Sequence, residues 1–449
     1  MRKILLFAYM LLLTVLTVAC TQAPPNSQAT PNTEATVDLL PTTLPLSNPT
    51  PVASLTTPVE LIVTVSAQES TMTDTTQPTM TPEDVNNGLS MTNAVLLYYH
   101  PDGNLYRTSV AGGVSEQLTT QPLGASDDGA AAIAYRPPRV SPDGRLLALN
   151  GNWGGAAALD LTTGESIGIG RGQAMLTPSW SPDSRQLAYV TQDDRLCIYN
   201  LESEPDDCIF APEGLLMEAV WSPAGSLIAA AVVTSPVEGS SDCCDGRVWL
   251  IDPATGEATD AAAFTTGFEY VPGEAFQWLP DGSGLAIKRA DDSRSAIYRL
   301  ADGSVVSLDE WIADVAPDGG IVLHPSGALS AINGTALSPL PGTDDCAEFL
   351  NIAHAWSPDG RLAYTLMCGI DGAPLDGANL LTVIEPATGA IIRQAELPAG
   401  LFPVAWSLDG NAILLDDGAV DSPIWQLAVD NPDELEVLTE DGYLIAVIP

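Results

Sequence analysis

The residue types that could do chemistry are few. Three histidines, His100, His324 and His354, could offer imidazole nitrogens to a transition metal. His100 and His324 each precede a proline, as turn residues would. They read as separate structural histidines, and no metal is expected. Carboxylates come in pairs, Asp127-Asp128, Asp193-Asp194, Asp291-Asp292 and Asp416-Asp417. None has the D-x-D-x-D-G spacing that wraps a calcium ion, so they read as solvated turns. The only lysines, Lys3 and Lys288, lie in no phosphate-cradling loop. Four aromatics, Tyr135, Phe264, Phe268 and Tyr270, fall in long connecting segments. There they could stack on a sugar or anchor a partner, or simply pin a loop. Tyr135, Phe268, Tyr270 and His354 are therefore the ligand candidates, and no catalytic residue is assigned.

Cys20 has a different chemistry. Arg2 and Lys3 precede an uncharged apolar run, Ile4 to Val18, and Ala19 then places a small residue before the cysteine. Thr17-Val18-Ala19-Cys20 resembles the lipobox of bacterial lipoproteins, departing from it at Thr17, where the family carries Leu. The resemblance implies cleavage after residue 19, a covalent lipid on Cys20, and an extracytoplasmic protein anchored to a membrane. The alternatives are a plain cleaved signal or an uncleaved span; the run is short for a span. Six further cysteines, Cys197, Cys208, Cys243, Cys244, Cys346 and Cys368, contain no Cys-x-x-Cys. An even number in an exported chain reads as disulfides. Cys197 and Cys208 flank one hairpin, and Cys346 and Cys368 fall in loops of one face. The adjacent Cys243 and Cys244 form either a vicinal bridge or two thiols.

Charge and composition set the surroundings. The chain has 449 residues, with 57 Asp and Glu against 16 Lys and Arg, a formal net charge of −41. Such a surface repels nucleic acid, whose binding needs basic side chains, and attracts cations or basic partners. Residues 21 to 90 hold 16 Thr and 10 Pro, with no Lys, Arg or aromatic residue. A segment so composed cannot offset its ordering entropy by burial, so residues 20–92 read as a lipidated cysteine and disordered spacer. As a coil it would span roughly 50 Å. Val59 to Val65 alternates like a strand within it.

From residue 93 a motif recurs: Val140-Ser141-Pro142-Asp143-Gly144, Trp180-Ser181-Pro182-Asp183-Ser184, Trp221-Ser222-Pro223-Ala224-Gly225 and Trp278-Leu279-Pro280-Asp281-Gly282. Val315-Ala316-Pro317-Asp318-Gly319, Trp356-Ser357-Pro358-Asp359-Gly360 and Trp406-Ser407-Leu408-Asp409-Gly410 complete it. The intervals of 40, 41, 57, 37, 41 and 50 residues suit a four-stranded propeller blade. The motif is a structural turn: Pro fixes φ, Asp bonds nearby backbone, and Gly supplies positive φ. The leading aromatic fills space between blades, apolar strands follow each turn, and the fourth strand is expected to be short and outermost. Ala94 to Thr119 supplies three strands with no innermost one, and Gly442 to Pro449 is a lone strand. The C-terminus is therefore expected to complete the first blade. This predicts an all-β propeller over 93–449 with eight blades, or seven if the weakly patterned unit at Pro317 is not one.

These turns, with trailing Asp252-Pro253-Ala254-Thr255-Gly256 and Glu385-Pro386-Ala387-Thr388-Gly389, resemble TolB-type, WD-like repeats. The resemblance covers nearly all of 93–449 and implies fold rather than function, because such rings serve as binding platforms, enzyme domains and scaffolds. The expected ligand face carries the longest links: Gln121 to Arg139, Thr234 to Gly246, Ala261 to Glu274, Gly342 to Asn351 and Cys368 to Asn379. The leading expectation is a non-catalytic, membrane-anchored binding or scaffold module for a protein or glycan, needing no cofactor beyond its lipid. The rivals are a metal-dependent polysaccharide lyase or hydrolase and a TolB-like part of an envelope complex.

Overall fold

A computed structural model describes residues 94–448, apart from 111–112, 121–137, 152–154, 171–175, 237–243, 267–274, 291–293, 347, 371–372, 375–378 and 432–434. The chain divides into two units, Met1–Thr76 and Gln77–Pro449, and every described residue belongs to the second. That unit is an all-β propeller of eight antiparallel sheets in a ring. Six sheets have four strands, one has five and one has three. The three-stranded sheet is the unit at Pro317, so the seven-blade alternative is discarded. Its fourth strand is reduced to a single bridge, Ser330 to Ala336.

Blades are numbered in chain order. Blade 1 takes its innermost strand, Tyr443–Ile448, from the C-terminus; it pairs antiparallel with Val95–Tyr99, Leu96 facing Val447. The innermost strands of blades 2 to 8 are Arg139–Val140, Ser179–Trp180, Leu215–Trp221, Phe276–Trp278, Asp314–Val315, Glu348–Trp356 and Phe402–Trp406. Alternating side chains send apolar groups to both faces of each sheet, so every blade must be covered on two sides. Eight buried apolar clusters meet this need, each shared by two consecutive blades. One of them packs Leu414 and Ile424 of blade 8 against Leu96 and Leu444 of blade 1. The ring is thereby closed without a free inner edge. Each such leucine, fully buried, contributes about 1.5–3 kcal/mol.

The recurring turn is held by its own atoms. Gly144 N donates to Ser141 O at 2.8 Å, with Gly144 at φ 72°, and the same bond recurs at Gly225, Gly282, Gly319, Gly360 and Gly410. Asp143, Asp183, Asp281, Asp318 and Asp409 each accept the amide two residues on, through Oδ1. Asp359 instead takes the Ser357 hydroxyl and the Arg361 Nε. The serine two residues before the turn aspartate matters as much. Buried Ser141, Ser181, Ser357 and Ser407 donate to the turn aspartate and accept the amide that opens the next strand.

The motif tryptophans also join blades. Trp180 Nε1 donates to Arg139 O, Trp278 Nε1 to Val220 O and Trp406 Nε1 to Ala355 O, at 2.8–3.0 Å. Each acceptor lies just before the motif of an earlier blade.

Several elements outgrow the expected pattern. The outermost strands of blades 4 and 7, Ala258–Thr266 and Ala390–Leu397, run nine and eight residues. Strands Ile228–Pro236, Cys244–Ile251, Glu348–Trp356 and Leu362–Ile370 absorb much of the expected links. Phe264 is not a loop aromatic but a core one, 1% exposed. Its ring lies over Gly246, where any Cβ would stand 2.3 Å from its Cζ. A strand pairing that seats a ring on a glycine stabilises both strands beyond the expected boundary.

Candidate functional site

The inner strands meet around the ring axis, where a side chain can touch neighbouring blades without entering the core between them. An apolar residue would be the default on these short strands. Blades 2 to 7 instead bring polar groups there: Arg139, Ser179, Glu218, Gln277, Asp314 and His354. Blades 8 and 1 bring Val404, Ala405, Ile445 and Ala446, all partly exposed.

Three consecutive blades are coupled through one carboxylate. Asp314 Oδ1 accepts Gln277 Nε2 from blade 5 at 3.1 Å and its neighbour's amide, Val315 N, at 2.8 Å. Asp314 Oδ2 lies 3.3 Å from His354 Nε2 of blade 7. The Asp314 and His354 side chains are 29% and 21% exposed, so solvent reaches both. Enclosure alone would raise the carboxyl pKa of Asp314. His354, the Val315 amide and Gln277 outweigh it, and the pKa is lowered. A second polar contact spans blades 2 and 4, Arg139 to Glu218 at 3.6 Å, with the Glu218 side chain 5% exposed. The arrangement offers an oriented carboxylate and an imidazole on a rigid inner wall. It suits recognition of a hydrogen-bonding group.

Of the sequence-derived ligand candidates, His354 lies in this arc. Tyr135, Phe268 and Tyr270 lie outside the described residues, as do Cys20, Cys243 and most of the expected loop face. Cys244 begins strand Cys244–Ile251. The histidines are not brought together. His324 is 5% exposed and bonded through its two nitrogens to Trp311 O and Ser330 Oγ. His100 meets Asp102 and Asp441 in blade 1. Among the described residues no three His, Cys, Asp or Glu side chains form a group that could hold a metal ion.

Two disulfides are formed. Cys197–Cys208 crosses the outer pair of strands in blade 3, and Cys346–Cys368 joins the lead-in of blade 7 to its second strand. The pair Asp416-Asp417 is not a simple solvated turn. Asp416 is 1% exposed and accepts Gly418 N and, from the closing strand, Leu444 N at 3.3 Å. Burial raises its pKa.

Gln277, Asp314, Glu218 and Arg139 were missed by reading the sequence for motifs. The available signal was a polar residue at the position before the repeated Trp or Val, as in Gln277, Asp314 and Arg139.

Similarity to solved structures agrees with this architecture. The chain resembles the dihydro-heme d1 dehydrogenase NirN in complex with DHE, at 14% identity and a TM-score of 0.51 over 79% of this chain and 76% of that one. It also resembles oligogalacturonate lyase in complex with manganese, at 17% identity and a TM-score of 0.41 over 78% and 86% of the two chains. TolB from Acinetobacter baumannii matches at 14% identity and a TM-score of 0.34 over 66% and 61%. At 14% identity the likeness to the first of these is one of fold alone. No protein-family model and no curated protein matches the chain.

Proposed function

We propose that this chain is an extracytoplasmic binding or scaffold protein, tethered to a membrane through lipid on Cys20, whose ring engages a protein or glycan. The observation that carries the reading is the axial arc. Gln277, Asp314 and His354, from three consecutive blades, share bonds, and the Asp314 and His354 side chains remain open to solvent. Polar groups fixed on rigid elements recognise a ligand with little ordering cost. The two disulfides fit an oxidising compartment. The Thr- and Pro-rich spacer would supply reach from the membrane. A partner within an envelope complex is one form the ligand could take.

The test is a titration of the full-length protein in detergent against cell-wall glycan fragments and secreted proteins, with product assayed in parallel. Saturable binding without turnover is expected. Turnover of a glycan would overturn the reading in favour of a lyase or hydrolase. That second reading draws on the Asp314–His354 contact, since a carboxylate beside an imidazole is an arrangement for general-base work. Stoichiometric zinc or manganese in the purified protein, lost in His354→Ala, would support it.

A further inference from the structure

We propose that the axial arc receives a lysine or arginine side chain from a protein partner. The inference rests on the binding reading above and names its chemistry. Asp314 is oriented from one side and left available on the other. Its Oδ1 carries two donors, Val315 N and Gln277 Nε2. Its Oδ2 has His354 Nε2 at 3.3 Å, longer than the roughly 2.7–2.9 Å of a close charge-assisted bond. A cationic donor arriving along the axis finds a half-coordinated carboxylate oxygen.

The rest of the arc favours the same ligand. Gln277 Oε1 is a buried acceptor with no hydrogen-bond partner. An acceptor left unserved in this way favours a small shift that presents it to a donor. Asp314 sets a fixed negative charge in the arc. The surface as a whole carries −41. A uronate or phosphate ligand would meet repulsion at both scales. The apolar inner strands of blades 8 and 1 complete the argument. Val404, Ala405, Ile445 and Ala446 are partly exposed on the blades next round the ring. Methylene stems of Lys and Arg lie well against such a wall while the charged tip reaches a carboxylate. An amino sugar carries the cation but no stem.

Fluorescence anisotropy on the full-length protein in detergent, at physiological salt, tests this. The probes are a labelled six-residue Gly/Ser peptide carrying one Lys and one Arg, its norleucine and citrulline analogue, its Asp and Glu analogue, and a glucosamine trimer. The basic peptide should bind most tightly. Asp314→Asn should weaken it about tenfold or more, the scale of one lost hydrogen bond to a charge. Asp302→Asn removes the same charge from an exposed turn of blade 5 and should change nothing. His354→Ala frees Asp314 Oδ2 and should tighten binding, which keeps the test decisive if Asp314→Asn fails to fold. Equal weakening by Asp302→Asn would mean diffuse attraction and overturn the proposal. So would equal binding of the neutral or acidic peptide, preference for the glucosamine trimer, or no binding of the basic peptide. The broader binding reading fails separately, when no glycan or secreted protein binds at all or when a glycan is turned over.

Discussion

Asp314 opens an inner strand and Asp409 closes the turn after one, and their bonds run in opposite directions. Asp409 closes on its own turn, taking the Ser407 hydroxyl and the Asn411 amide. Asp314 reaches out of its blade, to Gln277 on one side and towards His354 on the other. The first arrangement recurs with small changes from blade to blade; among the described residues a carboxylate shared by three blades occurs in one arc. What every blade repeats serves folding. What a few blades carry alone, and hold in common, is the place to look for recognition.

The harshest way to break this contrast is to attack the fold side. Removing residues 443–449 strips Val95–Tyr99 of its inner partner and Asp416 of the Leu444 amide. The expected outcome is loss of the cooperative thermal transition and aggregation in size-exclusion chromatography. A truncated ring that melts like the intact one would contradict closure by the C-terminal strand. Next in size is the blade 3 disulfide. Replacing Cys197 and Cys208 together by serine should cost about 3 kcal/mol in urea unfolding, on the chain-entropy account. Binding at the axis should be unchanged.

A smaller effect separates the turns from the arc. Ser407→Ala removes a 1% exposed hydroxyl that serves Asp409 and the amide of Ala412. Its cost should be about 1–3 kcal/mol, read in urea unfolding. Smallest is a pH effect. At Asp409 burial alone would raise the carboxyl pKa, but Ser407 and Asn411 outweigh it and hold it below 3.8. A lowered folded pKa stabilises above the unfolded value and loses that contribution as pH falls through the folded one. Asp416 has the opposite sign. Its raised pKa favours the fold below the unfolded value, and the advantage disappears as pH rises through the folded one. Thermal melts from pH 7 down to about pH 3 should therefore fall less steeply for Asp409→Asn than for the parent. An unchanged acid limb would remove the turn aspartates from the account.

The same contrast explains what was legible in the sequence. A turn needs particular residues at particular spacings, so Pro142, Asp143 and Gly144 and their six counterparts announced the blades before any coordinates. The lone strand at Tyr443 announced closure because a strand without a partner needs one. Strand length was less visible: Phe264 and Gly246 fit only as a pair across two strands. The serine and tryptophan bonds were hidden because a buried hydroxyl or indole nitrogen finds its partner only in three dimensions. The arc was hidden for the same reason. Gln277, Asp314 and His354 are separated by tens of residues and meet because consecutive blades share an axis.

The most direct test of that division pairs two isosteric changes and measures both unfolding and basic-peptide binding for each. Asp409→Asn should lower the melting temperature and leave affinity intact, and Asp314→Asn should weaken binding about tenfold beyond any change in melting temperature. If Asp314→Asn alters stability alone, or if the two variants change both properties alike, the arc is one more piece of scaffold and the account is wrong.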